Sequence, residues 1–145
     1  AIGGTQRIAT AASIELAGRT IRLYSLHIGT WAELTREQRR DQVEAVIADA
    51  NTTEDDVIIG GDLNDSSLTS SFEAAGFTWL TRDIGRTCKF WSLDHVFTRG
   101  MVADGSRGKI ADNRGSSDHC PVWVSVAGPE AAMSPRTPVA SRTRS

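Results

Sequence analysis

The sequence predicts an α/β fold, in which short strands alternate with amphipathic helices along the chain. Val57-Ile58-Ile59 is a short apolar run followed by Gly60-Gly61, the pattern of a fully buried strand before a sharp backbone turn. Upstream, Thr35-Arg36-Glu37-Gln38 has the form of a capping box, and apolar residues then recur at helical spacing as far as Ala50. These patterns place a helix directly before a buried strand.

Periodicity and turn residues predict the other elements. Two β-rich runs, 7–16 and 19–28, flank Ala17-Gly18 and predict a hairpin. The capped helix covers residues 36–50, and a short helix over 69–75 is closed by Gly76. Four further runs predict strands, namely 77–81, 88–91, 93–99 and 122–127. Residues 128–145 hold three of the four prolines and almost no large apolar residue, so we expect a disordered tail behind a domain over residues 1–127.

Composition limits the class of protein. The chain of 145 residues is 39% hydrophobic and 23% charged, as is ordinary for a globular protein, and no apolar run approaches the about 20 residues of a membrane helix. A net charge of −2 argues against charge-driven binding of nucleic acid by the whole chain. Residues 82–114 are locally basic, with seven Lys or Arg against four Asp, which suits either a phosphate-bearing substrate or a solvated loop surface.

Polar side chains that can carry chemistry cluster at the ends of the predicted strands. They are His27, Asp62, Asn64, Asp94, Asp118 and His119. Carboxylates, an amide and imidazoles that project toward one rim are the groups that metal-assisted phosphoryl hydrolysis needs. The chain has no Gly-x-Ser-x-Gly elbow and no zinc-ligand spacing, which argues against a serine hydrolase and a structural zinc site.

Four motifs occur in a fixed order: Ser25-Leu26-His27, Gly61-Asp62-Leu63-Asn64, Leu93-Asp94-His95-Val96-Phe97 and Ser117-Asp118-His119-Cys120-Pro121. Together they resemble the motifs of the endonuclease/exonuclease/phosphatase superfamily of DNase I-like metal-dependent phosphoesterases. The resemblance covers roughly residues 19–126. It implies a four-layer α/β/β/α sandwich, of which this chain would supply the C-terminal half, roughly one sheet and its covering helices.

The resemblance also implies roles for the strand-end residues. Asp62, Asn64 and Asp118 become candidate ligands of Mg²⁺ (or Mn²⁺), and His119, paired with Asp118, becomes the general base or the group that stabilises the phosphoryl transition state. Asp94 would support the catalytic histidine and the phosphate, and His27 would bind phosphate or protonate the leaving group. His95 should point to the opposite face and be structural. The implied substrate is a phosphoester, possibly nucleic acid.

Several alternatives stay open at this point. The family's early strand-end Asn and metal-binding Glu have no counterpart before His27, so the chain is interpreted as a C-terminal fragment or incomplete gene product whose site needs a missing N-terminal half. A catalytically incomplete half-domain, and a phosphomonoesterase or a phosphoinositide or phospholipid phosphohydrolase, are therefore alternatives to a nuclease. Cys88 and Cys120 can pair as a disulfide, although two buried thiols are the simpler expectation.

Overall fold

The structure of the protein is a computed structural model, which describes residues 9–128. The predicted tail, apart from its first residue, and the first two residues of the predicted hairpin lie outside the described residues. In chain order the elements are β1 (Thr10–Leu16), β2 (Arg19–His27), α1 (Arg36–Ala50), β3 (Asp56–Asp62), a short 3₁₀ turn (Ser66–Leu68), α2 (Thr69–Ala74), β4 (Thr78–Trp79), β5 (Asp94–Arg99), β6 (Val102–Lys109) and β7 (Val122–Ala127). The predicted α/β class is confirmed.

Five strands form one sheet in the order β1-β2-β3-β5-β4, and its pairing determines where the polar residues meet. β2 and β3 are parallel, so both end at the same edge of the sheet, and His27 lies opposite Asp62. β5 runs antiparallel to β3 and starts where β3 ends, so Asp94 also lies opposite Asp62. Three strands therefore bring these three side chains to one edge.

The two helices cover one face of this sheet and form the core with it. The α1 capping box is present, because the Thr35 side chain accepts from Gln38 N–H and the Gln38 side chain accepts from Thr35 N–H. Phe72 of α2 is fully buried and stacks on Phe97 of β5 with ring centroids 4.4 Å apart. The rest of the core consists mainly of apolar residues from α1, β2 and β3, among them Tyr24, Leu26, Val43, Ile47, Val57 and Ile59.

The last strand is where the fold departs from the sequence prediction. We expected roughly one sheet, but β7 pairs with β6 in a separate two-stranded sheet. The sequence did not predict β6, because Val102–Lys109 carries mostly polar side chains and two glycines and shows no clear alternation. Its pairing with β7 also changes register between Ala103 and Arg107. The described residues thus form a five-stranded sheet and a separate two-stranded ribbon.

Residues 88–91, predicted as a strand, form a tight turn instead. Cys88 N–H donates to the Trp91 carbonyl at 3.0 Å, and Trp91 N–H donates back to the Cys88 carbonyl at 2.7 Å. Lys89 has a φ of 39°, which a strand does not permit. Both cysteines are free thiols, Cys88 buried and Cys120 half-buried, so the disulfide that the sequence left open is not formed. Within residues 9–128, no helix has the length and apolar character needed to span a membrane.

Candidate active site

Four of the six predicted side chains meet at the edge where β2 and β3 end. Asp62 Oδ2 lies 3.8 Å from His27 Nε2 and 3.9 Å from His119 Nε2. His119 Nδ1 in turn lies 2.8 Å from Asp94 Oδ2. The result is a continuous row of alternating imidazoles and carboxylates, running from His27 through Asp62 and His119 to Asp94.

Asp62 and Asn64 are held by a sharp turn at the end of β3. Gly61 has a φ of 150°, and a side chain there would overlap the carbonyl of Leu26 on the neighbouring strand β2. Asn64 N–H donates to Asp62 Oδ1 at 2.7 Å, which fixes the orientation of that carboxylate. The Asn64 side-chain amide donates to the Ile28 carbonyl at 2.8 Å and ties the turn to the end of β2. The sequence prediction that both side chains project from this turn agrees with this geometry.

His119 lies on a loop rather than on a strand, and neighbouring residues hold it in place. The Asn113 side-chain amide donates to the carbonyls of Ser117 at 2.6 Å and His119 at 2.7 Å. Cys120 N–H donates to the Thr87 carbonyl at 2.7 Å, so this loop is fastened to the segment before β5. Sequence reasoning missed Asn113, because an Asn in a polar loop gives no periodic signal.

The same segment positions Asp94. The Thr87 hydroxyl accepts hydrogen bonds from the backbone N–H groups of Leu93 at 3.0 Å and Asp94 at 3.1 Å, and Thr87 itself is almost fully buried. One buried threonine therefore supports both partners of the Asp94–His119 hydrogen bond, through its side chain on one side and its carbonyl on the other. The sequence offered no signal for this role either.

Asp118 occupies a different place from the one that the sequence suggested. It is exposed, and its carboxylate forms a cluster with Cys88 and His119, whereas Asp62 and Asp94 form a second cluster with His119. In each cluster one ligand atom per residue lies within 4.8 Å of the others. The carboxylate that is hydrogen-bonded to His119 Nδ1 is that of Asp94. Asp118 is therefore a neighbour of His119 on the solvent side, apart from the carboxylate of Asp62.

The site perturbs two of its titratable groups. Burial raises the pKa of the Asp62 carboxyl, and the charge of Asp94 raises it further, against the lowering effects of the Asn64 N–H and the two imidazoles. Burial alone would lower the pKa of His119, but the hydrogen bond to Asp94 and the charges of Asp94, Asp62 and Asp118 raise it overall. Excess negative charge thus accumulates around Asp62 and His119.

His95 lies on the opposite face of β5, as the strand alternation predicted. It is 1% exposed, its Nε2 lies 3.0 Å from the Ser92 carbonyl, and its ring packs edge-to-face on Trp79 at 5.2 Å. Burial lowers the pKa of His95, so the ring stays neutral near pH 7. These contacts are those of a packed core histidine.

The donor set of this edge fits a hard divalent cation. Mg²⁺ and Mn²⁺ prefer oxygen ligands and bind through one or two carboxylates while water and substrate phosphate supply the rest. The carboxylates of Asp62 and Asp94 lie close together, and burial followed by the charge of Asp94 raises the pKa of Asp62. A cation bound between the two carboxylates would neutralise their charge. In the cluster that contains Asp118, burial and the Asp118 charge raise the pKa of the Cys88 thiol, which disfavours a thiolate–metal bond there.

Comparison with known proteins defines the class to which this fold and site belong. A sequence model of the Endonuclease/Exonuclease/phosphatase family matches residues 4–119, which is most of the chain. The chain therefore belongs to this family, whose members are phosphoester hydrolases, as the motifs had predicted. Among curated proteins, none matches the chain.

Solved structures share the fold at low sequence identity. D. rerio TDP2 in complex with a single-strand DNA product has a TM-score of 0.67 at 17% identity, with 83% of this chain and 62% of that chain covered. The catalytic domain of human nocturnin with bound sulfate gives 0.62 at 16% identity, covering 83% and 54%. The endonuclease/exonuclease/phosphatase from Beutenbergia cavernae gives 0.66 at 15%, covering 85% and 40%. The chain spans less than two thirds of the length of each.

Proposed function

We propose that this chain carries the catalytic edge of a Mg²⁺- or Mn²⁺-dependent phosphodiesterase that acts on nucleic acid. The observation that carries the proposal is the row His27–Asp62–His119–Asp94, in which a carboxylate on each side of His119 lies within reach of one of its ring nitrogens. Membership of the Endonuclease/Exonuclease/phosphatase family supports phosphoester hydrolysis as the reaction class.

His119 is the proposed general base. In the neutral imidazole, Nδ1–H donates to Asp94, so the tautomer is fixed and the Nε2 lone pair faces the Asp62 side of the site. The 3.9 Å between Nε2 and Asp62 Oδ2 is too long for a direct hydrogen bond and suits a water held between the two groups. Nε2 and Asp62 would then orient and deprotonate that water for attack on phosphorus. The negative charge of Asp118 would help to stabilise the imidazolium that forms.

His27 and Asn64 flank the position where the phosphoryl group would lie. His27 is half exposed and lies 3.8 Å from Asp62 Oδ2, which suits it to contact a phosphoryl oxygen or protonate the leaving oxygen. Asn64 keeps the Asp62 carboxylate oriented through its backbone N–H, and the residue lines the cavity beside the site.

The carboxylates of Asp62 and Asp94 would hold the cation, with Asn64 and Asp118 as further candidate ligands from the motif resemblance. When bound, a divalent cation neutralises charge on the phosphoryl oxygens and polarises the phosphorus for attack. The residues that surround it perform the remaining tasks, because they orient the water, accept its proton and position the substrate.

Nucleic acid is favoured as the substrate because TDP2, which shares the fold, was solved with a single-strand DNA product. Phosphomonoesters, phosphoinositides and phospholipids are the alternatives within the same family. The local basic bias of residues 82–114 is compatible with each of these phosphate-bearing substrates.

A half-domain without activity of its own is the second candidate, and the edge strand β1 favours it. Every residue of β1 is exposed, including the apolar side chains of Ile14 at 42% and Leu16 at 57%, so the face of the sheet away from the helices is incompletely covered. Under this proposal the 145 residues self-associate and are inactive with excess Mg²⁺, and an added N-terminal half-domain restores both solubility and hydrolysis.

The test is metal-dependent hydrolysis of a single-stranded oligonucleotide and of bis(p-nitrophenyl) phosphate. It compares the chain alone with the chain mixed with an N-terminal half-domain of the family. His119→Ala should lower kcat in the active form by about 10²–10⁴-fold, the usual contribution of a general base. Asp41→Asn is the matched control, since Asp41 is an exposed acid on α1 that belongs neither to the carboxylate clusters nor to the cavity lining, and it should leave kcat unchanged. Undiminished turnover in His119→Ala would refute the mechanism.

A further inference from the structure

A cavity of about 460 Å³ opens beside the row of catalytic groups, and its lining is chemically mixed. Its lining includes the polar residues Asn64, Asp118 and His119 and two tryptophans, Trp31 and Trp91. We infer that this cavity is a base-stacking subsite, in which an unpaired nucleobase lies on the tryptophans while the adjoining phosphodiester reaches His119. The inference deepens the proposed function and rests on it for the position of the phosphodiester.

Trp31 and Trp91 are too exposed to serve mainly as core-packing residues. Trp31 is 80% exposed and Trp91 is 58% exposed, whereas Trp79 of β4 is packed on Phe97 and His95. A large aromatic ring left in water costs free energy that a ligand recovers by covering it, and indole faces stack well on nucleobases. Both exposed rings line the same cavity, so a single ligand can contact them together.

Trp91 is rigidly linked to the catalytic groups. Its backbone closes the Cys88–Trp91 turn, and its carbonyl also accepts from Thr87 N–H at 2.9 Å. Cys88 in the same turn forms a β-bridge with His119. A platform that is fixed to the general base in this way needs little ordering when the ligand binds, and preorganisation of this kind increases affinity.

The charges around the cavity suit one nucleotide better than a long polyanion. Lys89 is exposed at the tip of the turn beside Trp91 and can meet a flanking phosphate. Arg39 is 7% exposed and donates to Asp65 Oδ2 at 2.8 Å, while its Nε has no partner among the described residues. With Lys89 at the cavity and a net charge of −2 for the whole chain, affinity should come from stacking and depend only weakly on salt.

A lipid surface is the main competing partner for exposed aromatic rings, and the cavity wall argues against it. Asp118 and Asp65 line the same cavity as the tryptophans, and inserting the rings into a bilayer would draw these carboxylates toward its apolar interior, where charged groups are unfavourable. A bounded cavity of this volume falls in the usual range for a small-molecule or single-nucleotide pocket. The geometry therefore points to a nucleobase.

The experiment is quenching of tryptophan fluorescence in the 145-residue chain, with EDTA present so that no strand is cleaved. Probes are a single-stranded oligonucleotide, a strand of equal length and charge whose sugars lack bases, and phosphatidylcholine vesicles. The oligonucleotide should bind, and the abasic strand should bind about 5- to 150-fold more weakly, as expected for one stacked base. Trp31→Ala and Trp91→Ala should each cause a loss in that range.

Trp123→Ala is the matched control, because Trp123 is 48% exposed on β7 and lies outside the cavity wall. Circular dichroism of all variants checks that the fold is retained, and anisotropy of a labelled strand reports binding independently of tryptophan. Three outcomes would each overturn the subsite. They are equal affinity for the abasic strand and the oligonucleotide, a loss of affinity in Trp123→Ala as large as in the other two variants, and binding to vesicles but not to strands.

Failure of the subsite and failure of the catalytic proposal give different results. Base-dependent binding without hydrolysis in any form of the protein would retain the subsite and refute the hydrolase. Hydrolysis of bis(p-nitrophenyl) phosphate without base-dependent binding would retain the hydrolase and refute the subsite.

Discussion

Asp94 and His119 are joined by a 2.8 Å hydrogen bond although 25 residues separate them in the chain. Asp94 begins β5, and His119 lies on the loop that leads into β7, so the intervening chain leaves the site along β5 and returns through the β6 segment. The contact closes this excursion at the catalytic edge. It also sets the tautomer and the basicity of the imidazole that we propose as general base.

Asp94→Asn should therefore lower the pKa of His119, because the variant keeps a hydrogen-bond acceptor but removes the negative charge. The folded pKa of His119 is raised, so its pairing contributes stability that is fully present below the unfolded value of about 6.5 and is lost as pH rises through the folded value. NMR titration of the imidazole in metal-free protein measures the pKa, and denaturant unfolding at several pH values measures the stability. Asp41→Asn should change neither the pKa of His119 nor the pH dependence of stability. An unchanged pKa of His119 in Asp94→Asn would contradict this account.

Gly61→Ala should damage the site by separating β2 from β3. The residue has a φ of 150°, and its added Cβ would overlap the Leu26 carbonyl, so we expect a loss of about 1–3 kcal/mol in the free energy of unfolding and a larger loss of activity. The adjacent Gly60→Ala is the control, since its Cβ would meet nothing closer than 3.8 Å. Chemical denaturation of the two variants compares them directly, and equal stabilities would show that the turn is not constrained.

Phe72→Ala should lower the free energy of unfolding by about 3–5 kcal/mol, because it leaves a cavity under α2 and removes the stack on Phe97. Phe90→Ala deletes the same side chain at a position that is 74% exposed, and its effect on stability should stay within about 0.5 kcal/mol. Urea titration followed by far-UV circular dichroism measures the free energy of unfolding of both variants. A small effect of Phe72→Ala would mean that α2 is not part of the cooperative core.

Asp62→Asn should weaken binding of Mn²⁺ at least about tenfold, since it removes the central carboxylate of the site. Because the pKa of Asp62 is raised, protons compete with the cation at a higher pH than for an ordinary Asp. The affinity for Mn²⁺ should therefore begin to fall at a higher pH as the solution is acidified. Calorimetry or water-proton relaxation with Mn²⁺ measures the affinity, with Asp41→Asn as control. An unchanged affinity for Mn²⁺ in Asp62→Asn would show that the cation binds elsewhere.

The parts of the fold that were predictable are those with strong local signals. Helix α1 matches its predicted bounds because the capping box and apolar spacing act within the helix itself. The meeting of His27 and Asp62 follows from the rule that parallel neighbours end at one edge, and Asp94 joins them because the antiparallel β5 starts where β3 ends. The separate placement of Asp118 was not predictable, because adjacent loop residues diverge according to tertiary contacts.

The elements that escaped prediction depend on partners distant in sequence. β6 is a strand only because β7 pairs with it, and its own residues carry no apolar alternation. The Cys88–Trp91 segment is rich in residues that favour strands. Its backbone groups nevertheless form hydrogen bonds with each other and with Thr87. Asn113 and Thr87 support the site through two side-chain hydrogen bonds each to backbone atoms, which leave no pattern in the sequence.

The fastening of the His119 loop has a consequence for how the family can diversify. His119 is held by Asn113, by Asp94 and by the Thr87 carbonyl that binds its neighbour Cys120. None of these ties involves a side chain of β6, so the composition of that strand can change while the imidazole keeps its place. Sequence variation in the β6–β7 ribbon is therefore compatible with an unchanged catalytic edge.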